Sequence, residues 1–524
     1  MKFLSQLGRG PRVIAVTAIA ALALTACASG ESGEPSVEPQ GSDVLRIAVT
    51  TDVTSLDPAL SGSADPIAIF PELAYESLIE QDPNGDFVPG LATEWGFVDD
   101  ENKVFELTLR EGVKFSDGGE LSAQGVKDHF LYYQSAGGSF AKRIDNFASM
   151  DVIDDLHLRI TLKESDPLLW FNLTPRMVTG AVISPVALQD PEKLGTSTAG
   201  AGQYVLDTEA TVQGQKYVYT ASPTYYDQDA INFESVEVHV IGNTSNQLNA
   251  MRANQIDYMF GTSKNADAAK ADGFDVYTQP QAFLYVHFTD RDGEKVPALG
   301  DERVRQALNY AIDRAAIAKG LLGDYGRAGS QVAVPGTDGS DDSLEDFYTY
   351  DVEKAKDLLA QAGYADGFEF DLLAAELQPG IKAAAEAVAS YWAAVGVTAN
   401  IVVPSSMAEM VPMLMDGQVQ AMMFQYGSRP MLSFAEEVFE KNSVFNPFGN
   451  VDPEIDSLMD TMATSSEDEA EVAAKALQKR ILEIAWFAPI AYVDKVVISR
   501  PGLVGGEMNA AYLNPVPVNF YAEG

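Results

Sequence analysis

"LATEWGFVDDENKVFELTLREGVKFSDGGELSAQGVK", residues 91–127, holds a strand, a turn and a helix start in one unbroken run. Phe105, Leu107 and Leu109 alternate with Glu106, Thr108 and Arg110, the period-two pattern of a half-buried strand. Glu111-Gly112 turns the chain, and Val113 and Phe115 continue an apolar face. Asp117-Gly118-Gly119 closes that piece. Ser122 stands where an N-cap is needed for a helix whose Val126, Phe130 and Tyr133 share a stripe.

Working outward, "DVLRIAVT" (43–50) alternates at Leu45, Ile47 and Val49 and reads as a strand feeding the turn-rich "TDVTSLDPAL" (51–60). "LHLRITL" (156–162), "SVEVHV" (235–240) and "FLYVHF" (283–288) are further strands. The second half is richer in helix. "DERVRQALNYAIDRAAIAKGLL" (301–322) sets Val304, Ala307, Leu308, Ala311 and Ile312 at helical spacing behind Asp301 as cap. "DVEKAKDLLAQAG" (351–363) starts at Asp351, is expected to bury Leu358 and Leu359, and stops at Gly363. A helix through "GIKAAAEAVASYWAAVG" (380–396) gives way to the strand "VTANIVV" (397–403). Strands and helices mixed throughout predict an α/β or α+β chain of several lobes, about two to four domains by length.

The N-terminal end is of another kind. Lys2, Arg9 and Arg12 precede the apolar run "VIAVTAIAALALTA" (13–26), a secretory signal too short to span a bilayer comfortably. Cys27, the single cysteine of the chain, follows Leu24-Thr25-Ala26, which resembles a bacterial lipoprotein lipobox. That resemblance implies cleavage before Cys27 and acylation of it, leaving no thiol for an internal disulfide. Residues 27–42 are rich in Ser, Gly, Pro and Glu and read as a flexible tether with a reach of about 20 Å. Losing three cations with the signal takes the net charge from −41 to −44. Such a field disfavours nucleic acid as a partner, while 46% hydrophobic residues supply ample core.

Convergent reactive groups are not found. No G-x-S-x-G, H-E-x-x-H or G-x-x-x-x-G-K-[ST] pattern occurs, and "GAGQYV" (200–205) lacks the last glycine of a dinucleotide fingerprint. The four histidines, 129, 157, 239 and 287, form no close pair. His157 and His239 read as polar-face residues, and His287 shares a face with Phe283 and Tyr285. "TDGSDDSLED" (337–346) imitates a calcium loop, but Ser343 replaces the sharp-turn glycine and Thr349 the bidentate acid. No cofactor, no metal site and no enzymatic activity are expected.

The segment 91–127 resembles the signature of the family 5 solute-binding proteins of ABC importers, the peptide, nickel and dipeptide receptor group. Ala92, Trp95, Asp100, Phe105, Leu107, Arg110, Phe115, Asp117 and Gly118 match it in order. "SLDP" (55–58), "RVRQALNYAIDR" (303–314), "YDVEKAKDLLAQAGY" (350–364) and "VDPEIDSLMD" (451–460) extend the likeness from residue 43 to the C-terminus.

The resemblance implies an α/β fold: a two-lobed clamp of the periplasmic-binding-protein class II type with an additional third domain. The expected organisation is a signal peptide over 1–26 and a tether over 27–42. Residues 43–60, 200–285 and 500–524 then form a discontinuous first lobe, 61–199 the additional domain, and 286–499 the opposing lobe. The implied function is capture of a peptide or similar small organic solute outside the cell and its delivery to ABC permease subunits. The protein would be a monomer tied to the outer face of the membrane through acylated Cys27. A solute sensor or adhesin on the same fold, or an exported hydrolase, are the alternatives.

Peptide-binding members carry an aromatic residue and then an aspartate on a loop of the opposing lobe. The matching stretch is "FQYGSRPMLSF" (424–434), with Tyr426 but with Gly427, Ser428 and Arg429 in place of the acid. A guanidinium there suits a carboxylate or phosphate-like group, unless Arg429 pairs with Glu436 or Glu437. Ser55 and Leu56 lie where the family brings its first lobe to the cleft, and Gln378 sits on a loop that reaches it. Tyr75, Trp392 and Trp486 fall on helical stripes and read as core. Arg46 and Arg110 read as structural partners on strand faces.

Overall fold

A computed structural model describes residues 43–61, 67–138, 141–375, 380–441, 443–509 and 514–523. Cys27, the signal and tether segments, and Gln378 lie outside the described residues.

One eleven-stranded sheet runs through the body, and its middle explains the rest. Two long antiparallel strands, Asp275–Phe288 and Phe487–Ser499, pair from Asp275↔Ser499 to His287↔Phe487. At one end Val496–Ser499 also pairs with Tyr258–Gly261, which leads to Val44–Val49, Ser235–Val240, Lys216–Ala221 and Tyr204–Leu206. At the other end Ala282–Phe288 pairs with Ala421–Gly427, which leads to Phe368–Leu373 and Val397–Val402. Each long strand is therefore a member of both halves of the sheet. The register of the pair shifts between Pro280 and Ala282, a bulge at Gln281 where one half hands over to the other. The boundaries read at 285/286 and 499/500 fall within the first long strand and at the end of the second.

Val44–Val49 is parallel to both neighbours, and Phe368–Leu373 likewise; Leu45, Ile47, Ala48 and Val49 are buried in the first, and Phe370, Leu372 and Leu373 in the second. Helices Glu302–Tyr310, Val352–Gln361 and Ile381–Ala393 contribute Val304, Leu308, Leu359 and Trp392 to one core with the 368–373 and 397–402 strands. The expected single helix over 301–322 is two, because Asp313 caps a second helix, Arg314–Leu322, through the Ala316 N–H. Leu359 is buried as read, but Leu358 is only partly so, since Ala355 takes the inner stripe.

The signature segment builds a separate four-stranded antiparallel sheet in the order Ala92–Phe97, Val104–Leu109, His157–Leu162, Phe147–Val152. Phe105, Leu107 and Leu109 face its core, where Val126, Phe130 and Tyr133 of helix Ala123–Ala136 meet them. Ser122 caps that helix at the Gly125 N–H. Asp117 accepts from the Gly119 N–H and the Ser184 hydroxyl, and Gly118 supplies the left-handed φ of +87° the turn requires. The signature is thus architecture: its residues close a turn and fill a core. Among the described residues no helix is long and apolar enough to cross a membrane.

Candidate functional site

The stretch 426–431 grows out of the sheet at the handover between its halves. Strand Ala421–Gly427 ends beside Ala282, and the Ser428 N–H donates to the Gln281 carbonyl at 2.7 Å, at the bulge itself. Three residues on, helix Met431–Phe439 starts, its first N–H donating to Asp338 Oδ2 at 2.6 Å. Backbone bonds at both ends thereby fix Gly427, Ser428 and Arg429 on a rigid rim. Gly427 is exposed, with no atom within 4 Å of where a Cβ would stand.

Behind the rim, Tyr426 is buried, with ring centroids of Phe434 at 5.1 Å and Phe283 at 5.9 Å. These aromatics form a wall for the loop. Arg429 lies across it, its guanidinium 4.5 Å from the Tyr426 ring and Nη1 donating to Glu437 Oε2 at 2.7 Å. The pairing anticipated with Glu436 or Glu437 is therefore made with Glu437. Phe283, Val332, Val334, Gly427, Ser428 and Arg429 enclose a cavity of about 10 Å³, room for one water at most.

Ser55 and Leu56 sit on the first lobe. Leu56 is 1% exposed in that lobe's core, and its N–H donates to the Gly195 carbonyl. Its side chain is thus committed to packing. Ser55 Oγ accepts from the Asp57 N–H at 3.2 Å. Asp57 itself is clasped by the Tyr132 hydroxyl, while Tyr133 donates to the Pro58 carbonyl. "SLDP" therefore locks the first lobe to helix Ala123–Ala136. No described hydrogen bond joins Ser55 or Leu56 to Gly427, Ser428 or Arg429. The structure brings the four residues of 426–429 together and leaves the first-lobe pair on another wall.

The residues read as structural behave so. Arg46 donates to both oxygens of Asp257, and Arg110 donates to the Gly90 carbonyl. Tyr75, Trp392 and Trp486 are buried, and the Tyr75 hydroxyl accepts from Ala199. Trp392 is on a helix, whereas Tyr75 and Trp486 stand just beyond helix ends. His157 is exposed and pairs with Asp154, and His239 is half-buried against Glu237. His287 is fully buried. Trp486 Nε1 can only donate, so His287 Nε2 accepts at 3.2 Å, and burial pushes the imidazole well below its ordinary pKa.

A second, larger cavity of about 240 Å³ went unread in the sequence. Glu72, Glu76, Glu80, Tyr225 and Tyr226 contribute to its lining. Tyr226 donates to Glu76 Oε1 at 2.6 Å, and burial raises the Glu76 carboxyl to about 7 against the pull of that bond and of Arg110. The only local sign was an acid inside the apolar run "LAYESLI" (73–79). Arg110, stacked 4.5 Å over the Tyr226 ring, completes the cluster.

Residues 86–436 match the profile of the bacterial extracellular solute-binding proteins, family 5 Middle. The glutathione-binding protein GsiB of Salmonella typhi is 29% identical over 336 residues, 62% of this chain and 62% of that protein. The dipeptide-binding protein of Escherichia coli (strain K12) is 27% identical over 371 residues, 64% and 67% of the two chains. The match with the first of these spans about three fifths of its length. The structure of HbpA2 from Haemophilus parasuis superposes with a TM-score of 0.80 at 20% identity, covering 92% of this chain and 100% of that one. The fold is the two-lobed clamp of periplasmic binding proteins, and the chain belongs to the bacterial extracellular solute-binding proteins, family 5.

Proposed function

We propose that this protein is the substrate-binding component of an ABC importer, taking a peptide or similar small organic solute between its lobes and passing it unchanged to membrane permease subunits. The observation that carries the reading is the pair of long strands common to both halves of the sheet. A two-stranded bridge with a bulge at Gln281 can flex while each half stays rigid, and solute touching both lobes favours the closed arrangement by its differential affinity. The domain limits inferred from sequence belong to this proposal, with the long strands shared by both lobes. So does export with anchoring through acylated Cys27.

Gly427, Ser428 and Arg429, backed by Tyr426, form the solute-facing rim of the opposing lobe in this reading. Ser55 and Leu56 belong to the same proposal, as does Gln378, which lies outside the described residues. The rim offers a donor where a peptide amine would want an acid, so the cargo presents a carboxylate there. Relatives named for binding glutathione and dipeptides are consistent with a small peptide-like acid. The Arg429–Glu437 pair does not forbid this. With side chains 26% and 41% exposed it is worth about 0–1 kcal/mol, and a carboxylate arriving in a closing, drying cleft can displace Glu437.

Native mass spectrometry of the gently purified protein tests the reading, paired with X-ray scattering before and after stripping. A bound solute, recovered unaltered, and a smaller radius of gyration when loaded are expected. An identical scattering curve in both states, or a solute returned as reaction products, sinks it.

A further inference from the structure

Among the described residues, the tip of the sheet built by the signature segment meets the opposing lobe through a small patch. Asn102 lies in the turn between strands Ala92–Phe97 and Val104–Leu109, at a φ of +52°, a left-handed conformation that asparagine tolerates better than most residues. Its carbonyl accepts from the Asp166 N–H, which holds the turn against the segment 165–168. From this double tip, Asn102 Nδ2 reaches the Ala463 carbonyl at 3.5 Å, and Ser165 Oγ donates to the same oxygen at 3.1 Å. Ala463 stands in the last turn of helix Pro453–Thr464, where carbonyls have no partner within the helix and carry the negative end of its dipole. Beside them Leu168 packs on the aromatic and aliphatic core of the opposing lobe. The three residues converge on that lobe across about 300 to 360 positions of sequence.

Resting on the clamp function proposed above, we propose that Asn102, Ser165 and Leu168 are a latch. They are positioning residues that engage the end of helix Pro453–Thr464 only when the lobes close, and so set how long cargo is held without touching it. The chemistry suits a reversible catch. Two neutral hydrogen bonds and one leucine form a patch small enough to release, and its donors meet a helix-end carbonyl that water serves equally well when the clamp opens. The latch carries no formal charge, so salt leaves it intact. It also gives the additional domain a task in the cycle, because a change in this tip alters retention while the solute-facing rim is unchanged.

The full chain carrying Cys27→Ser has no other thiol, so Val98→Cys and Val472→Cys, both at exposed positions, accept a pair of dyes that report the tip-to-lobe distance in single molecules. Protein as purified and after stripping by unfolding and refolding is compared. A short-distance state is expected, with a dwell time cut about tenfold by Asn102→Gly with Ser165→Ala, restored by Ser165→Thr, and unmoved by salt, while the Tm stays nearly the same because glycine keeps the left-handed turn. Two distance states whose dwell times ignore these substitutions overturn the latch and leave the clamp standing. A single fixed distance in every variant and condition overturns the clamp itself, and the latch with it.

Discussion

The two sides of this molecule bury charge in opposite ways. In the opposing lobe Arg305 and Arg314 are each 6% exposed, and no hydrogen bond described for them goes to a carboxylate. Arg305 donates to the carbonyls of Leu299, Ile484 and Ala485, and Arg314 to those of Pro489 and Asn309 and to the Asn309 side chain. On the first-lobe side the buried groups are acids. Asp57 and Glu76 lean on the hydroxyls of Tyr132 and Tyr226, and burial raises both carboxyls. A guanidinium has five donors in a planar fork and spreads its charge over many carbonyls. Glu76 keeps its Oε2 unserved, so taking up a proton is its cheapest relief, whereas Asp57 Oδ1 also accepts from the Ala59 N–H. Arg305 and Arg314 therefore hold charge that does not titrate in the physiological range, whereas burial brings the Glu76 carboxyl into it.

The largest effect should come from removing a guanidinium. Arg314→Met fills the volume but removes the guanidinium donors from the Pro489 carbonyl and the Asn309 side chain in a dry interior. A loss of about 3–5 kcal/mol is expected, read as a lower urea midpoint followed by fluorescence. A loss below about 1 kcal/mol would mean that these carbonyls find water, and the contrast between the lobes would fail.

Next in size is Glu76→Gln, which should act only on one side of neutrality. The native carboxyl holds its proton up to about 7, whereas the unfolded one releases it near its ordinary 4.5. The native state binds more protons across that window, so this group's contribution to stability falls as pH rises from 4.5 to 7 and is flat above. Glutamine accepts from Tyr226 without the charge. The variant should match wild type near pH 4.5 and exceed it by about 1–3 kcal/mol at pH 8. Asp338, raised to about 6, and Glu80 shift the same way and leave the variant a shallower slope of its own. Equal pH profiles for the two proteins would show that Glu76 is charged and content in the fold.

What the sequence allowed to be read follows from where the partners lie. Val104–Leu109 was legible because the alternation and its turn are local, and Ser122, Asp301 and Asp351 because a cap acts within three residues. Asp275–Phe288 was read only from residue 283, because Thr278-Gln279-Pro280-Gln281 shows no apolar period and a proline. Only its pairing with Lys495 to Ser499, more than 200 positions away, makes it a strand. The guanidiniums of Arg305 and Arg314 gave no signal for the same reason: carbonyls of 484, 485 and 489 answer them, and a charged residue in a helix pattern reads as solvent-facing. At the rim the sequence supplied the ion pair, since Arg429 and Glu437 are eight residues apart. It could not supply the enclosure, which depends on Phe283 and Val332.

Arg429 sharpens the comparison because it is an arginine of the opposing lobe that breaks that lobe's rule. It is part exposed, answered by a carboxylate and stacked on one ring, where Arg305 and Arg314 are sealed among carbonyls. Its removal should therefore cost the fold least, about 0–1 kcal/mol for Arg429→Ala, since water rehydrates Glu437 at once. Against that small structural effect the functional one should stand clear. If the guanidinium meets a cargo carboxylate in the closed cleft, the fraction of protein that retains its co-purified solute on dilution should fall about tenfold, the value of one charge-assisted bond. Arg429→Lys should recover only part of it, because a point charge cannot reproduce the planar fork. Solute retained equally by all three proteins would assign Arg429 to the loop alone and move the recognition of cargo to Ser428 and the first-lobe wall.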